Sequence, residues 1–416
     1  MDDTSVPTYS PAERDRRWNL ARTFMDQEAV DALIVFGEHE DAGPAPFNFD
    51  TWFTNDRPGS TVVFPRTGEP ISHVPISTFI NDHMASSRNG DAMWIPPQNI
   101  RVARNSDGIA DTLNEHGLAK ATIGVVGLEP YPPLFSESIM PYQLWHTIEA
   151  RFPDAEFKPV GLTFARLLMP LSPEEIAVVR HSASIGDAMA QAMVEAAAPG
   201  VAENEVYAAG MAAAYKLGTV VPGMHLRSGP EPAGWGPPQW AYRPQAPRVL
   251  QDGDVISTEV FCNFGMRASQ HQATIAIGDV HEDFERAALV ARAAYDAGLK
   301  ALHAKRKFGD VAEEMLKPVE VAGGWVRGPQ IHGLNPFGSF CRYPANFRRL
   351  DGAEHYPKVT GMSTTLGEME LEPGMTFAFE PSCVFGRRPV TLGGTVIVGD
   401  DEPIELNPYT AQLLRA

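Results

Sequence analysis

The chain has 416 residues, 44% of them hydrophobic and 21% charged, and carries a formal net charge of −18 at pH 7. That length exceeds one ordinary hydrophobic core, so two soluble globular domains are expected. The negative balance excludes the clustered basic face that nucleic acid or an anionic membrane surface requires, and no apolar run reaches bilayer length. The opening residues, MDDTSVPTYSPAERDRRW, are polar and acidic and resemble no secretory signal. Cys262, Cys341 and Cys383 are widely spaced without a CxxC pair, which reads as buried, reduced thiols in a cytoplasmic protein.

Residues 11–27 carry Trp18, Leu20, Ala21, Phe24 and Met25 at helical spacing, and the apolar run at 32–36 suits a buried strand. A hairpin is expected at 60–64 and 71–74 around Thr67-Gly68. A helix at 107–116, a strand at 122–126 and a helix at 136–151 follow. This order makes one α/β domain over residues 1–165. Within it, residues 48–59 mix aromatics with turn formers; such a loop either caps a sheet or presents Trp52 and Arg57 to a ligand.

A boundary falls in RLLMPLSPEE, and a second domain spans 166–416. Ser172, Pro173 and Glu175 form a capping box with proline at the first helical position. The helix that follows has an apolar stripe of Ile176, Val179, Ala183, Ile185, Ala188, Met189 and Met193. Further helices are expected at 204–217 and 283–307. Residues 250–278, LQDGDVISTEVFCNFGMRASQHQATIAIG, read as a hairpin with strands at 255–261 and 274–277. Its polar interruptions, Glu259, Gln270, His271 and Gln272, either line a cavity or stand solvated on an edge. Residues 225–248 form a long loop with Trp235, Trp240 and Tyr242. Their faces either meet a ligand bearing an ammonium, guanidinium or sulfonium group or tie the loop down by burial. Downstream, His332 precedes a glycine turn, Glu380 interrupts an apolar strand, and Gly393-Gly394 opens a strand at 395–398. A carboxylate inside an apolar strand is expensive unless paired or used, and Glu259 shows the same pattern. Two such glutamates and one histidine point to acid–base chemistry. No GxGxxG or P-loop follows a strand, so nucleotide binding has no support.

In this order, LSPEEIAVVRHSASIGDAM, RSGP, VLQDGDVISTEV, QIHGLN and ELEPGMTFAFEP resemble the creatinase/aminopeptidase P/methionine aminopeptidase superfamily. The resemblance implies an α+β fold, with a C-terminal pita-bread domain preceded by a smaller α/β N-terminal domain of the creatinase and prolidase type. Metal-dependent members of that family use two hairpin aspartates, one histidine and two glutamates. Those positions fall on Glu259, Gln270, His332, Glu380 and Gly393, so two of them lack a carboxylate. The resemblance therefore points to the metal-free branch, similar to creatinase and ectoine hydrolase, with no metal or other cofactor. It implies a hydrolase that cleaves a C–N bond in a small zwitterionic or cationic metabolite bearing a carboxylate.

His332 and Glu380 match that branch, with Glu259 as a second carboxylate. Arg57 aligns with an arginine that a partner subunit offers to the substrate carboxylate, which implies a homodimer with shared active sites. The branch's main proton-transfer histidine falls near Tyr242 and its hairpin glutamate near Gln272. His271, His225 and Tyr242 stand as alternative proton carriers. Arg57, Trp235, Trp240, Tyr242, Gln270 and Gln272 are the implied substrate-binding groups. Two rivals share the resemblance. One is a divergent metal enzyme, either an Xaa-Pro aminopeptidase or a lyase like the dimethylsulfoniopropionate lyase; the other is a non-catalytic binding module like the histone-chaperone relatives. An insertion at 341–370, with Arg342, Arg348, Arg349, His355 and Lys358, either roofs the pocket or lies on a dimer surface.

Overall fold

The computed structural model describes residues 6–38, 49–130, 138–221, 223–335, 338, 341–342, 349–357 and 360–416. Two compact units separate within it, Pro7–Met169 and Pro170–Ala416.

In the first unit Ser10 starts α1 (Pro11–Glu28): its hydroxyl accepts from the Glu13 amide at 3.2 Å, and Pro11 takes a position whose N–H has no helical partner anyway. β1 (Ala32–Phe36) is buried at every position, as its unbroken apolar run predicts. α2 (Phe49–Thr54), β2 (Thr61–Pro65), β3 (Ile71–Val74), α3 (Thr78–Asn89), β4 (Ile100–Val102) and α4 (Ser106–Glu115) follow. β5 (Thr122–Val126), α5 (Tyr142–Arg151), β6 (Glu156–Pro159) and α6 (Gly161–Leu167) complete the unit. Its strands make one mixed sheet in the order β4-β3-β2-β1-β5-β6. Ile109 and Leu113 of α4 and Ile148 of α5 share a core cluster with Ile34, Val63 and Ile123 of that sheet.

The short strands β4 and β6 and the polar helix α3 escaped the sequence reading, because neighbours in the sheet decide such segments more than propensity does. The helix expected from 136 starts at Tyr142, and residue 136 lies outside the described residues, as does Asn48 of the aromatic stretch. In the rest of that stretch Trp52 is packed inside and is not presented to a ligand. Phe49, Trp52 and Phe53 are buried on α2, with ring centroids 5.9, 5.7 and 5.8 Å from Phe164.

His73 on β3 is fully buried, with Nδ1 3.1 Å from the Ala103 carbonyl and Nε2 3.1 Å from the Thr112 hydroxyl. Burial lowers its pKa from 6.5 to about 4. The unfolded chain therefore takes up a proton here in a window where the folded chain does not, and stability falls as pH drops from 6.5 to about 4. The shift corresponds to about 3 kcal/mol. Calorimetric melting across that window is expected to show the first unit weakening, with a shallower slope in a His73→Gln variant.

The second unit opens with the expected capping box: Ser172 Oγ accepts from Glu175 N at 3.1 Å, and Ser172 N donates to Glu175 Oε2 at 2.9 Å. α7 (Pro173–Ala196) and α8 (Glu203–Lys216) follow. The stretch expected as a loop from 225 begins as a strand, β7 (Met224–Gly229). The hairpin is longer than read, with β8 (Val255–Phe264) and β9 (Arg267–Ala276). Gly265 and Met266 join them with φ of 53° and 59°, the two left-handed residues of a type I′ turn, whose twist matches that of paired strands. α9 (Glu282–Ala301) stops short of 307, and a separate α10 (Phe308–Val321) follows.

β10 (Ile331–Gly333), β11 (Thr376–Phe379), β12 (Ser382–Phe385), β13 (Arg388–Thr391), β14 (Thr395–Ile397), β15 (Ile404–Glu405) and β16 (Leu414–Arg415) finish the chain. They assemble as β16-β9-β8-β7, β10-β11-β14-β15 and β12-β13. A bridge between Gln272 and Gly393, and the Gln270 amide donating to Thr395 Oγ1 at 3.0 Å, tie β9 to the second sheet. Cys262, Cys341 and Cys383 are unpaired, and burial pushes their thiols to about 11, 11 and 12, which leaves none as a nucleophile near neutrality. Among the described residues no helix is long and apolar enough to cross a membrane.

Candidate active site

β8 pairs with β9 so that Glu259 stands opposite Gln272 and Phe261 opposite Gln270. Directly paired residues share a face of a sheet, as do residues two apart on one strand, so all four project to one side. β7 adds His225, paired directly with Glu259 and therefore on that side too. From the second sheet come His332 on β10 and Glu380, whose amide donates to the Gln330 carbonyl at 3.0 Å just past β11. Glu259, His332 and Glu380 converge there, each buried and each offering an atom within 4.8 Å of the other two.

The two glutamines join this group as donors. Gln270 Nε2 donates to Glu259 Oε1 and, at 3.2 Å, to Glu380 Oε2; Gln272 Nε2 donates to the same Glu380 oxygen at 2.7 Å. His332 Nδ1 donates to the Gly333 carbonyl at 2.9 Å, which makes Nε2 the nitrogen with the lone pair, 3.8 Å from Glu380 Oε1. Burial holds the His332 imidazole below its ordinary pKa, so it is neutral near pH 7. Burial, and then the facing Glu259 carboxylate, raise Glu380 well above the usual range, with Arg327 opposing them. Glu380 is therefore the member that keeps its proton. Two amide N–H groups occupy Oε2, so the proton belongs on Oε1, the oxygen that faces His332.

His225 Nδ1 lies 2.8 Å from Glu259 Oε2, off the line of an ideal hydrogen bond. Gln272 Oε1 and Glu259 Oε2 are buried acceptors without a hydrogen-bond partner among the described residues.

His271 does not belong to this group. It pairs with Val260, faces the opposite side of the hairpin, is fully buried against α7, and has Nε2 3.0 Å from the Ala183 carbonyl. A Cβ on Gly186 would meet its Cε1 at 2.0 Å, so that glycine exists to admit the ring. Burial lowers the His271 pKa to about 4. Its role is packing, and strict alternation along β9 separates it from Gln270 and Gln272.

The three aromatics expected to face a cationic ligand are also dispersed. Trp235 packs edge-on against His225, with centroids 5.6 Å apart, but its ring already carries the Arg327 guanidinium at 4.0 Å. Trp240 packs on Tyr207 of α8, and Tyr242 is 55% exposed, with Arg227 donating to its hydroxyl at 3.3 Å. Arg57, in the first unit, pairs with Asp82 at 2.7 Å and stacks on Phe79 at 4.1 Å. Sequence reasoning missed Arg327, which has no motif around it, and placed His225 in a loop.

The dinuclear metal centre implied by the family's five-ligand set does not fit these residues. Gln270 and Gln272 aim amide N–H groups at the carboxylate oxygens that would have to face cations. At the fifth position, Gly393 has φ of 124°, and a Cβ there would lie 2.2 Å from the Phe379 carbonyl oxygen. A ligand side chain there would force that backbone to shift.

The insertion is tied beside α10. Lys307 pairs with Glu368 at 2.6 Å, the Gly309 amide donates to Gly367, and Arg349 donates to the Gly324 carbonyl at 3.1 Å. The Arg342 amide donates to Thr364 Oγ1 at 3.0 Å and His355 is exposed, whereas Arg348 and Lys358 lie outside the described residues.

A match to metallopeptidase family M24 spans residues 177–400, more than half of the chain. Creatinase from Bacillus sp. (strain B-0618) is 23% identical over 404 residues, covering 93% of this chain and 87% of the relative. Among solved structures, dipeptidase PepE from Mycobacterium ulcerans superposes with a TM-score of 0.70 at 17% identity, over 98% of this chain and 99% of that one. The Xaa-Pro dipeptidase from Bacillus anthracis gives 0.70 at 15% identity, over 97% and 100%. These structural likenesses establish the fold, an α+β chain with an N-terminal domain ahead of the pita-bread domain. The chain belongs to metallopeptidase family M24, a family of hydrolases acting on C–N bonds.

Proposed function

We propose that the protein is a metal-independent hydrolase that cleaves a C–N bond in a small zwitterionic or cationic metabolite bearing a carboxylate. The observation that carries this reading is the pair of amide N–H groups, from Gln270 and Gln272, placed on the carboxylates where cations would otherwise sit. The buried acceptor Gln272 Oε1 favours a ligand that brings an N–H donor, because buried polar atoms are normally satisfied. In this reading Glu380 Oε1 gives its proton to the leaving nitrogen as the C–N bond breaks. Neutral His332 faces that oxygen with the Nε2 lone pair, 3.8 Å away, and Glu259 stabilises positive charge on the nitrogen-bearing end. Arg57, offered by the neighbouring subunit of a homodimer, takes the substrate carboxylate. Exchanging its exposed Asp82 partner costs little, since such surface pairs are worth about 0–1 kcal/mol.

The test is turnover on a panel of guanidino acids such as creatine, N-acyl and ureido acids, and the dipeptide Ala-Pro, before and after exhaustive chelation. Activity is expected to survive chelation, and elemental analysis to find well under one transition metal per chain. The triangle of Glu259, His332 and Glu380 favours one alternative, a single-ion enzyme of the Xaa-Pro peptidase or lyase kind. Activity lost on chelation and restored by one added dication would establish that alternative and overturn the metal-free reading.

A further inference from the structure

Hydrolysis moves two protons: one onto the leaving nitrogen and one off the attacking water. Glu380 accounts for the first alone. Resting on the metal-independent reading, we infer that His225 takes the second, with Glu259 as the carboxylate that orients it.

Three groups stood as alternative proton carriers, and the fold separates them. His271 is fully buried on the far side of the hairpin against α7. Tyr242 is exposed and held by Arg227. His225 alone pairs with Glu259, on the face of the sheet that carries Gln270 and Gln272. Its Nδ1 is sealed from solvent and 2.8 Å from Glu259 Oε2, while 27% of the side chain is exposed. Nε2 is not sealed in that way and has no hydrogen-bond partner among the described residues. A carboxylate on Nδ1 fixes the tautomer with its lone pair on Nε2, the form a general base requires. The imperfect Nδ1 alignment is of the kind that catalytic hydrogen bonds complete when substrate binds.

The ring is also braced. Phe261 and Trp235 meet it edge-on at 5.1 and 5.6 Å, and Thr258 Oγ1 donates to the His225 carbonyl at 2.8 Å. Trp235 is pinned in turn: Arg327 stacks on it at 4.0 Å and donates to Ser257 Oγ at 2.7 Å, to Thr391 Oγ1 at 2.8 Å, and to the carbonyls of Pro232 and Gly234, both at 3.3 Å. Arg327 is thus a positioning residue for the imidazole. In the step itself, Nε2 of His225 takes a water proton as the water oxygen bonds to the scissile carbon. The C–N bond then breaks, its electron pair and the Glu380 proton going to nitrogen. Loss of the His225 proton to solvent and reprotonation of Glu380 reset the site.

Two measurements test this. On metal-stripped, 15N-histidine-labelled protein at pH 8, the His225 ring, identified by its loss in His225→Asn, is expected to carry its proton on Nδ1, a preference that Glu259→Gln abolishes. With the fastest substrate from the panel, His225→Asn is expected to lower kcat by about 10²–10³-fold, the range of general-base catalysis, with KM changed by less than about threefold. A proton on Nε2 in the unmodified protein, or an unchanged kcat in His225→Asn, overturns the assignment. The nitrogen measurement needs no turnover, so a metal requirement found in the chelation experiment would sink the metal-free reading without deciding the tautomer.

Discussion

Replacing Glu380 with glutamine is expected to lower kcat by about 10²–10⁴-fold, the range that one positioned acid contributes. Glutamine is near in size, and its carbonyl can accept from Gln270 and Gln272 where Oε2 does now, so the fold should survive and the loss report the missing proton. The pH profile separates this from a packing effect. Glu380 sits well above its ordinary value of 4.5 because burial and Glu259 oppose its charge, so activity falls as pH rises through that raised pKa. His332 is lowered by burial, so its own protonation intrudes only below 6.5. Glu380→Gln should remove the alkaline limb from kcat/KM and leave the acid one. Stability carries the matching sign: between 4.5 and the raised value the folded chain holds a proton that the unfolded chain has lost, so folding weakens as pH rises across that window. The variant should not show that decline. A variant with wild-type kcat would remove Glu380 from the chemistry.

The second large effect is structural. Gly393→Ala is expected to cost about 3 kcal/mol or more, because alanine disfavours the positive φ and its Cβ would strike the Phe379 carbonyl. For a unit of this size that is roughly a 6–12 °C fall in melting temperature, readable by calorimetry. The Gly393 carbonyl also accepts from Gln272 N at 3.0 Å and Thr410 Oγ1 at 2.7 Å, so yielding there would loosen β9 as well. It follows that writing the missing carboxylates back as Gln270→Asp with Gly393→Glu should give an unstable chain and not a dinuclear metalloenzyme. A stable double variant that binds two dications would contradict this.

How much of this was legible depends on the residue. The order of motifs was enough for the fold, and period-two alternation places Glu259, Gln270 and Gln272 on one face once the register is known. The same alternation puts His271 on the other face, and grouping the three consecutive polar residues was the error. His225 was hidden because the proline- and glycine-rich run that begins at Gly229 masks a short strand in which Met224 and Leu226 are buried. α10 carries Phe308, Val311, Ala312, Met315 and Val319 at helical spacing, but Pro318 in its last turn disguised it. Trp52 reads as a ligand contact by composition, whereas its burial against Phe164 depends on tertiary packing that no local pattern contains. Arg327 acts through a contact with Trp235 from a different part of the chain, and spacing gives no sign of it.

The ring of His271 seated in the notch at Gly186 has a mechanical consequence. α7 can neither slide along β9 nor turn on its axis without driving its backbone into the imidazole, so helix and strand are keyed together like a peg in a socket. The underside of the hairpin is thereby stiff. On the other face the Trp235 segment is held differently, by the Arg227 and Arg327 guanidiniums donating to its carbonyls.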